Sequence, residues 1–372
     1  MSTLAPPPSR PVRSTRPRST ARGEGQAKHA SDYAELSRRI KAAGLLERRY
    51  APYVLRMSLL LVALAAGVAA MVVLGQSWWQ LAVAVYFGAL FAQFGFLAHD
   101  GAHRQVFASG KRNEWFSRVV ANMFVGLGYG WWMHKHTKHH GNPNTVGRDN
   151  DLDPNIVVFT EQDAERRSTG LLGVVLRRQG WLLLPAMTLT GLDLHVKTMR
   201  MLLGRGPVPH RGAELALILI RLIGFPTLLV LSAGPVIGLV ALLVQLLAFG
   251  FMMGGAFAPN HIGMPTIAHD QKVDYLRRQV LTSRNITGGP AVDFLMGGLN
   301  HQVEHHLFPS MPSANLRAAR RIIRDYCAEL GVPYLERPLV PAMADVIRSV
   351  HRLGVRHADP FDCPAAAALR LA

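Results

Sequence analysis

Gly297-Gly-Leu-Asn-His-Gln-Val-Glu-His-His-Leu-Phe-Pro309 places adjacent histidines, His305 and His306, behind Gln302. On a helix, positions 302, 305 and 306 share one face, because i, i+3 and i+4 stack. The same geometry appears far upstream in His136-Thr-Lys-His139-His140, and His99-Asp-Gly-Ala-His103 puts two imidazoles at i and i+4. A lone histidine on an apolar face is ordinarily structural. Three clusters at helical spacing, each beside a long apolar segment, read instead as a ligand set.

The 372 residues are 49% hydrophobic and 17% charged, and the apolar residues gather into long runs separated by basic, polar stretches. A net charge of +17 raises the question of nucleic acid. The arginines, however, concentrate in the N-terminal tail and around the apolar runs, and no nucleic-acid module motif is visible. The pattern fits a membrane protein with cationic cytoplasmic flanks and no nucleic-acid partner. Cys327 and Cys363 form no CxxC and no disulfide framework, and read as free thiols.

Residues 1–30, rich in Pro, Arg, Ser and Thr, have too few large apolar side chains to offset the entropy of ordering, which predicts a disordered basic tail. Residues 31–53 predict an amphipathic helix lying on the membrane, with Tyr33, Leu36, Ile40 and Leu45 on or near one face. Four apolar runs, about 54–75, 79–98, 213–232 and 235–258, are each long enough to cross some 30 Å of hydrocarbon. They pair into two hairpins, the first with Trp78 and Trp79 at its turn, the second turning at Ser-Ala-Gly and kinked at Pro226. Gly250 and Gly254 predict a close helix contact. Arg48, Arg49 and Arg56 around the start of the first span, and Arg104, Lys111 and Arg112 after the second, put both termini and the histidines in the cytoplasm. Leu171 to Leu192, broken by Arg177, Arg178 and Pro185, reads as interfacial or re-entrant, and Trp131 and Trp132 place the second cluster near the headgroups. Ala314 to Leu330 predicts a basic helix, 331–372 a cytoplasmic C-terminal segment, and the tail after Asp359 looks frayed. The expected fold is thus all-α: four transmembrane helices in two hairpins with a cytoplasmic helical cap, its main domain at 54–330.

Neutral imidazole is the commonest metal ligand, and clusters at i, i+3 and i+4 bring several to one point. The face-matched positions are His99, His103, His136, His139, His140, His305 and His306; His261, where the fourth span ends, makes eight. One zinc takes four ligands, or three and a water, so eight suit two ions with open positions. Two redox-active irons can activate dioxygen and attack an unactivated C–H bond, which no side-chain acid or base can do. Asp100, Asp151, Asp153 and Glu304, with Asp149, lie beside the clusters as acceptors that can orient imidazole N–H groups.

HDGAH, HxxHH and QxxHH, in that order around two membrane hairpins, resemble the histidine boxes of the membrane-bound fatty acid desaturases. GGLNxQxEHHLFP is similar to the subgroup that includes front-end and linoleoyl-CoA desaturases, with Gln302 where other desaturases have the first His of a third HxxHH. The resemblance spans roughly Tyr50 to Leu330. It implies a di-iron centre held by the eight histidines, with O2 as co-substrate and Asn260 acting through a bound water. It further implies insertion of a cis double bond into a long-chain acyl-CoA or acyl-lipid. His301 stands where the subgroup has an aromatic residue; lying i, i+4 from His305, it is an alternative ligand to Gln302. His134, on the opposite helical face from His136, is expected to stay outside the site. No HPGG haem motif occurs, so electrons are expected from a separate carrier, a ferredoxin or similar protein with its reductase.

Three rivals stand beside this reading. Related histidine-box enzymes hydroxylate, epoxygenate or ketolate with the same metal site. His301-Gln-Val-Glu304-His305 formally matches HxxEH, an inverted zinc-protease motif, but leaves two clusters idle. A membrane metal transporter would place polar ligands inside the spans, near the midplane.

Overall fold

The computed structural model describes residues 20–153 and 156–356, with side chains from residue 31 onward. The expectations of disorder at residues 1–19 and of a frayed tail after Asp359 lie outside the described residues, as does Cys363. Cys327 is buried and free.

The chain is mostly helical. It begins with α1 (Thr20–Ala42), α2 (Tyr50–Leu74), α3 (Gln80–Ala102), α4 (Gly110–Val119) and α5 (Tyr129–Gly141). It continues with α6 (Glu161–Arg166), α7 (Gly170–Thr188), α8 (Thr190–Leu203), α9 (Arg211–Leu219), α10 (Phe225–Ala233) and α11 (Pro235–His261). The last part holds α12 (Tyr275–Leu281), β1 (Asn285–Thr287), α13 (Gly289–Leu295), α14 (Gln302–Leu307), α15 (Ser313–Glu329), β2 (Glu336–Pro338) and α16 (Leu339–Arg356).

Among the described residues, four helices are long and apolar enough to cross a membrane: Tyr50–Leu74, Gln80–Ala102, Arg211–Ala233 and Pro235–His261. The third is α9 joined to α10 through a π-helical turn at Ile220–Gly224. That wider turn directly precedes Pro226, where the sequence predicts a kink, and both features are ones that bend helices. Val54, Leu55, Leu59, Val62 and Val73 of α2 face outward, as lipid contact requires. By contrast α3 is the central, buried helix, packed on α2, α4 and above all α11. Gly88 permits that approach, because a Cβ there would lie 2.6 Å from the Ala248 Cβ. Gly250 makes the close helix contact the sequence predicts, with a helix pair outside the four candidate spans. A Cβ there would collide with the Thr188 carbonyl, so this glycine seats α11 on the α7–α8 junction. The one buried cation within the spans, Arg221, lies over Phe91 and Phe225 and bonds Gln245 Oε1 at 2.9 Å.

The all-α expectation needs one addition. β1 and β2 form a parallel two-stranded ladder pairing Asn285 with Glu336 through Thr287 with Pro338. It ties the chain just before the third histidine cluster to the C-terminal segment. That segment is no appendage, since α16 packs along α7 and α11 with Val346 and Val350 buried. Leu171–Leu192 falls on α7 and the start of α8, neither of which is among the four candidate spans.

The first helix also differs from expectation. It starts at Thr20, not Ser31, and stops at Ala42. Its apolar face is not turned to lipid: Leu36 and Ile40 are fully buried with Leu276, Val303, Leu316 and Ile323. Burying each such side chain is worth about 1.5–3 kcal/mol, which the protein core supplies as well as a bilayer would. Tyr33 OH donates to the Leu307 carbonyl at 3.0 Å, so the docked helix touches the end of the third cluster.

Candidate metal centre

Each histidine sits where a helix ends or begins. His99 is in the last turn of α3 and His103 caps it. His136, His139 and His140 occupy the last turns of α5, and His261 is the final residue of α11. His305 and His306 lie on the single buried turn α14, with Gln302 at its start. Helix ends deliver side chains to one locus without breaking the helices that carry them.

The eight form two groups. His99, His103, His136, His140 and His305 bring donor atoms within 4.8 Å of one another; His139, His261 and His306 do the same. In the first group the His136 and His103 Nε2 atoms stand 2.8 Å apart, His140 and His136 2.9 Å, and His305 and His140 3.1 Å. Around one first-row metal, nitrogens about 2.1 Å from the ion lie at most about 4.2 Å apart. The observed envelope therefore needs only slight contraction to take an ion in each group.

Unpartnered atoms support the fit. Both ring nitrogens of His99, Nδ1 of His140 and His305, and Nε2 of His306 are buried without a hydrogen bond in the protein. Orphaned polar atoms in a packed interior are costly, and a bound ion removes that cost for every nitrogen aimed at it. Burial, reinforced by neighbouring imidazoles, pushes His103, His136, His140, His305 and His306 well below the ordinary imidazole value of 6.5. Each is therefore neutral at pH 7, with a lone pair to give. Burial acts the same way on His139, but the carboxylates of Asp151 and Asp149 outweigh it and raise that ring.

The acceptors around the second group fix its tautomers. His139 Nδ1 meets Asp149 at 3.0 Å and Asp151 at 3.2 Å, which leaves Nε2 for the group. His261 Nδ1 donates to the Thr282 carbonyl at 3.0 Å, and His306 Nδ1 faces Gln279 Oε1 at 3.0 Å. Asp149 is also gripped by the Asn144 and Asp151 backbone N–H groups, so it is fixed before it fixes His139. Asp151 pairs in addition with Lys135.

The other sequence candidates divide. Gln302 Nε2 donates to His261 Nε2 at 2.9 Å, and Asn260 Nδ2 reaches Gln302 Oε1 at 3.3 Å, so both border the second group. Asp100 accepts from Ser313 Oγ at 2.8 Å and from Arg56 at 3.4 Å, and sits 3.6 Å from His99 Nδ1. Three candidates lie apart from both groups. Among the described residues Asp153 accepts from Asn150, at an exposed turn. Glu304 accepts from Asn285 at 2.7 Å and Tyr334 at 2.5 Å and touches no imidazole; burial pushes it up to about 7. His301 turns to Asp293, 3.3 Å away, because it precedes α14 and does not share its helical face. The HxxEH pair therefore does not converge on one point. His134 is exposed, away from both groups.

Trp132 stacks on His136 with ring centroids 4.1 Å apart. Gln279 and the Thr282 carbonyl were invisible in the sequence, since they belong to no motif and come from a separate short helix and its end.

A family model for fatty acid desaturases matches residues 76–338. The chain belongs to the fatty acid desaturase family. Membership implies a metal cofactor, and with the four apolar helices it makes the chain an integral membrane protein. Similar proteins include the Delta(5) fatty acid desaturase fat-4 of Caenorhabditis elegans, 29% identical over 273 residues, covering 69% of this chain and 60% of that one. The acyl-lipid (9-3)-desaturase of Borago officinalis is 30% identical over 260 residues, 66% of this chain and 58% of the relative. The Delta(8)-fatty-acid desaturase of Helianthus annuus is 24% identical over 340 residues, 88% and 74% of the two chains. This desaturase-family chain thus spans about 60% of the length of the first two relatives.

Proposed function

We propose that the protein is a membrane fatty acid desaturase that uses two irons, O2 and two electrons to place a cis double bond in a long acyl chain. The single observation behind this reading is the convergence of eight imidazoles into two neighbouring groups, on a chain of this family. The names of its relatives, all desaturases of fatty acids or acyl lipids, support it. The overall change is –CH2–CH2– plus O2, two electrons and two protons to –CH=CH– and two waters.

When bound, redox-active irons supply the oxidising power to break an unactivated C–H bond. The protein's own work is positional. His99, His103, His136, His140 and His305 would hold one ion, and His139, His261 and His306 the other, with Gln302 beside it. Asp149 and the Thr282 carbonyl keep the Nδ1 protons of His139 and His261 in place, so Nε2 carries the lone pair. Trp132 stacks on His136 and would help orient its ring.

In this reading the spans form two hairpins, and the histidine-bearing helices make a cap on the cytoplasmic side, which the Lys and Arg flanks favour. The substrate is a long-chain acyl-CoA or acyl-lipid entering between helices. A separate carrier, a ferredoxin or similar protein with its reductase, delivers electrons.

The test is the acyl-chain profile, by gas chromatography and mass spectrometry, of cells expressing the protein with a ferredoxin and reductase. A new unsaturated chain, absent with His139→Ala, is expected and gives the bond position. A new hydroxy or epoxy chain would move the protein to the related oxygenases. No product from protein holding a single zinc would overturn the reading.

A further inference from the structure

Gln279 lies outside every histidine motif, is fully buried, and touches a histidine of each group. Its Nε2 donates to the His140 main-chain carbonyl at 2.9 Å. A carbonyl only accepts, so the amide orientation is fixed: NH2 towards His140, Oε1 towards His306. Oε1 is itself only an acceptor, so the His306 Nδ1 opposite it, at 3.0 Å, carries the ring proton. The lone pair of His306 is then on Nε2. That atom is buried with no protein partner, and the rings of His139 and His261 stand 5.0 and 4.7 Å away.

The same amide holds the seam between the groups. The His140 and His306 rings stack 4.3 Å apart at 16°, while His140 Nε2 faces His136 and His305. Helix α12, which carries Gln279, is itself anchored. Asp274 caps it at Arg277 N, Leu276 and Val280 are buried, and Tyr275 OH donates to the His306 carbonyl at 2.9 Å.

We propose that Gln279 is the positioning residue for the three-histidine group: it sets the His306 tautomer and fixes that ring against His140, so that Nε2 is poised for a metal. The inference rests on the two-metal reading above. It assigns to α12 a role that the sequence motifs leave empty. His139 has a carboxylate for this task and His261 a main-chain carbonyl, so Gln279 completes a set of three acceptors for three imidazoles.

The test uses the full-length protein in detergent, loaded with ferrous iron, with iron counted per chain, Mössbauer spectra recorded and release followed against a chelator. Gln279→Leu removes both bonds. It is expected to release one of the two irons at chelator concentrations about 10–100-fold lower than wild type, with one spectral component lost and the other kept. Gln279→Glu keeps an acceptor for His306 and is expected to retain both irons. Gln179→Leu is the structural control. Gln179 is equally buried and bridges Val158 N and the Val350 carbonyl at 2.9 and 2.8 Å, so its loss should lower the melting temperature and leave the iron count at two.

Three results would overturn the proposal: Gln279→Leu holding both irons as tightly as wild type, Gln279→Glu losing one as readily as Gln279→Leu, or Gln179→Leu losing iron to the same degree. Should Gln279→Leu fail to fold, Gln279→Glu decides alone, since loss of its iron contradicts the tautomer argument. Wild-type protein that never holds two irons would sink the two-metal reading itself, a result distinct from any of these.

Discussion

The two histidine groups are built by different means. The five-histidine group is made of imidazoles alone: two helix ends and one buried turn push them together, and three of its five rings keep a buried nitrogen with no protein partner. The three-histidine group has fewer rings, but each Nδ1 meets its own acceptor from Asp149, Thr282 or Gln279. One group gains its hold from number, the other from orientation. Removing a ligand should therefore damage either group, whereas removing an acceptor should damage only the second.

The largest effect to expect is from the ligands. His305→Ala in the first group and His139→Ala in the second should each abolish product formation while leaving membrane insertion intact, measured by acyl-chain profile and membrane fractionation. Wild-type turnover in either variant would break the division into two necessary groups. Next in size, Asp149→Asn keeps the shape but weakens the acceptor of His139, and should cost about 10–100-fold in metal affinity at one ion only. Equal loss of both ions, read by chelator titration, would show that the groups do not differ as described.

The pH dependence follows from burial. In the metal-free protein, five imidazoles have pKa values lowered below the 6.5 of an unfolded chain. Their neutral form is favoured by the fold, so its stability is full above about pH 6.5 and declines as pH falls below that value towards the lowered folded values. Melting temperature of the metal-free protein should drop between about pH 6.5 and 5, and bound metal should blunt the drop. A flat profile would mean the rings are not buried together. The smallest effect belongs to His134→Ala. The ring is exposed and outside both groups, so activity should stay within a few-fold of wild type. An inactive variant would show that α5 presents a different face.

Much of this was legible in the sequence because helical periodicity is local. The i, i+4 spacing of His136 and His140 puts those two rings together, though His139 goes to the other group, and the four apolar runs fall within a few residues of helices α2, α3, α9–α10 and α11. The misses were tertiary. His301 formally matches i, i+4 with His305, but the chain is not yet helical there and the ring goes to Asp293. Glu304 is adjacent to a ligand in sequence, yet α14 turns it away towards Asn285 and Tyr334. Helix α1 looked like a membrane-surface helix because amphipathicity does not say whether lipid or protein covers the apolar face. The acceptors were least visible of all, since a main-chain carbonyl at Thr282 and one glutamine on α12 have no spacing signature.

Iron content of the purified protein tests the two-centre account most directly, measured for wild type, His305→Ala and His306→Ala with Mössbauer spectra on each. Two irons per chain are expected in the wild type, with His305→Ala depleting one spectral component and His306→Ala the other. A single zinc in the wild type, or identical losses from both variants, would contradict two separately held metals.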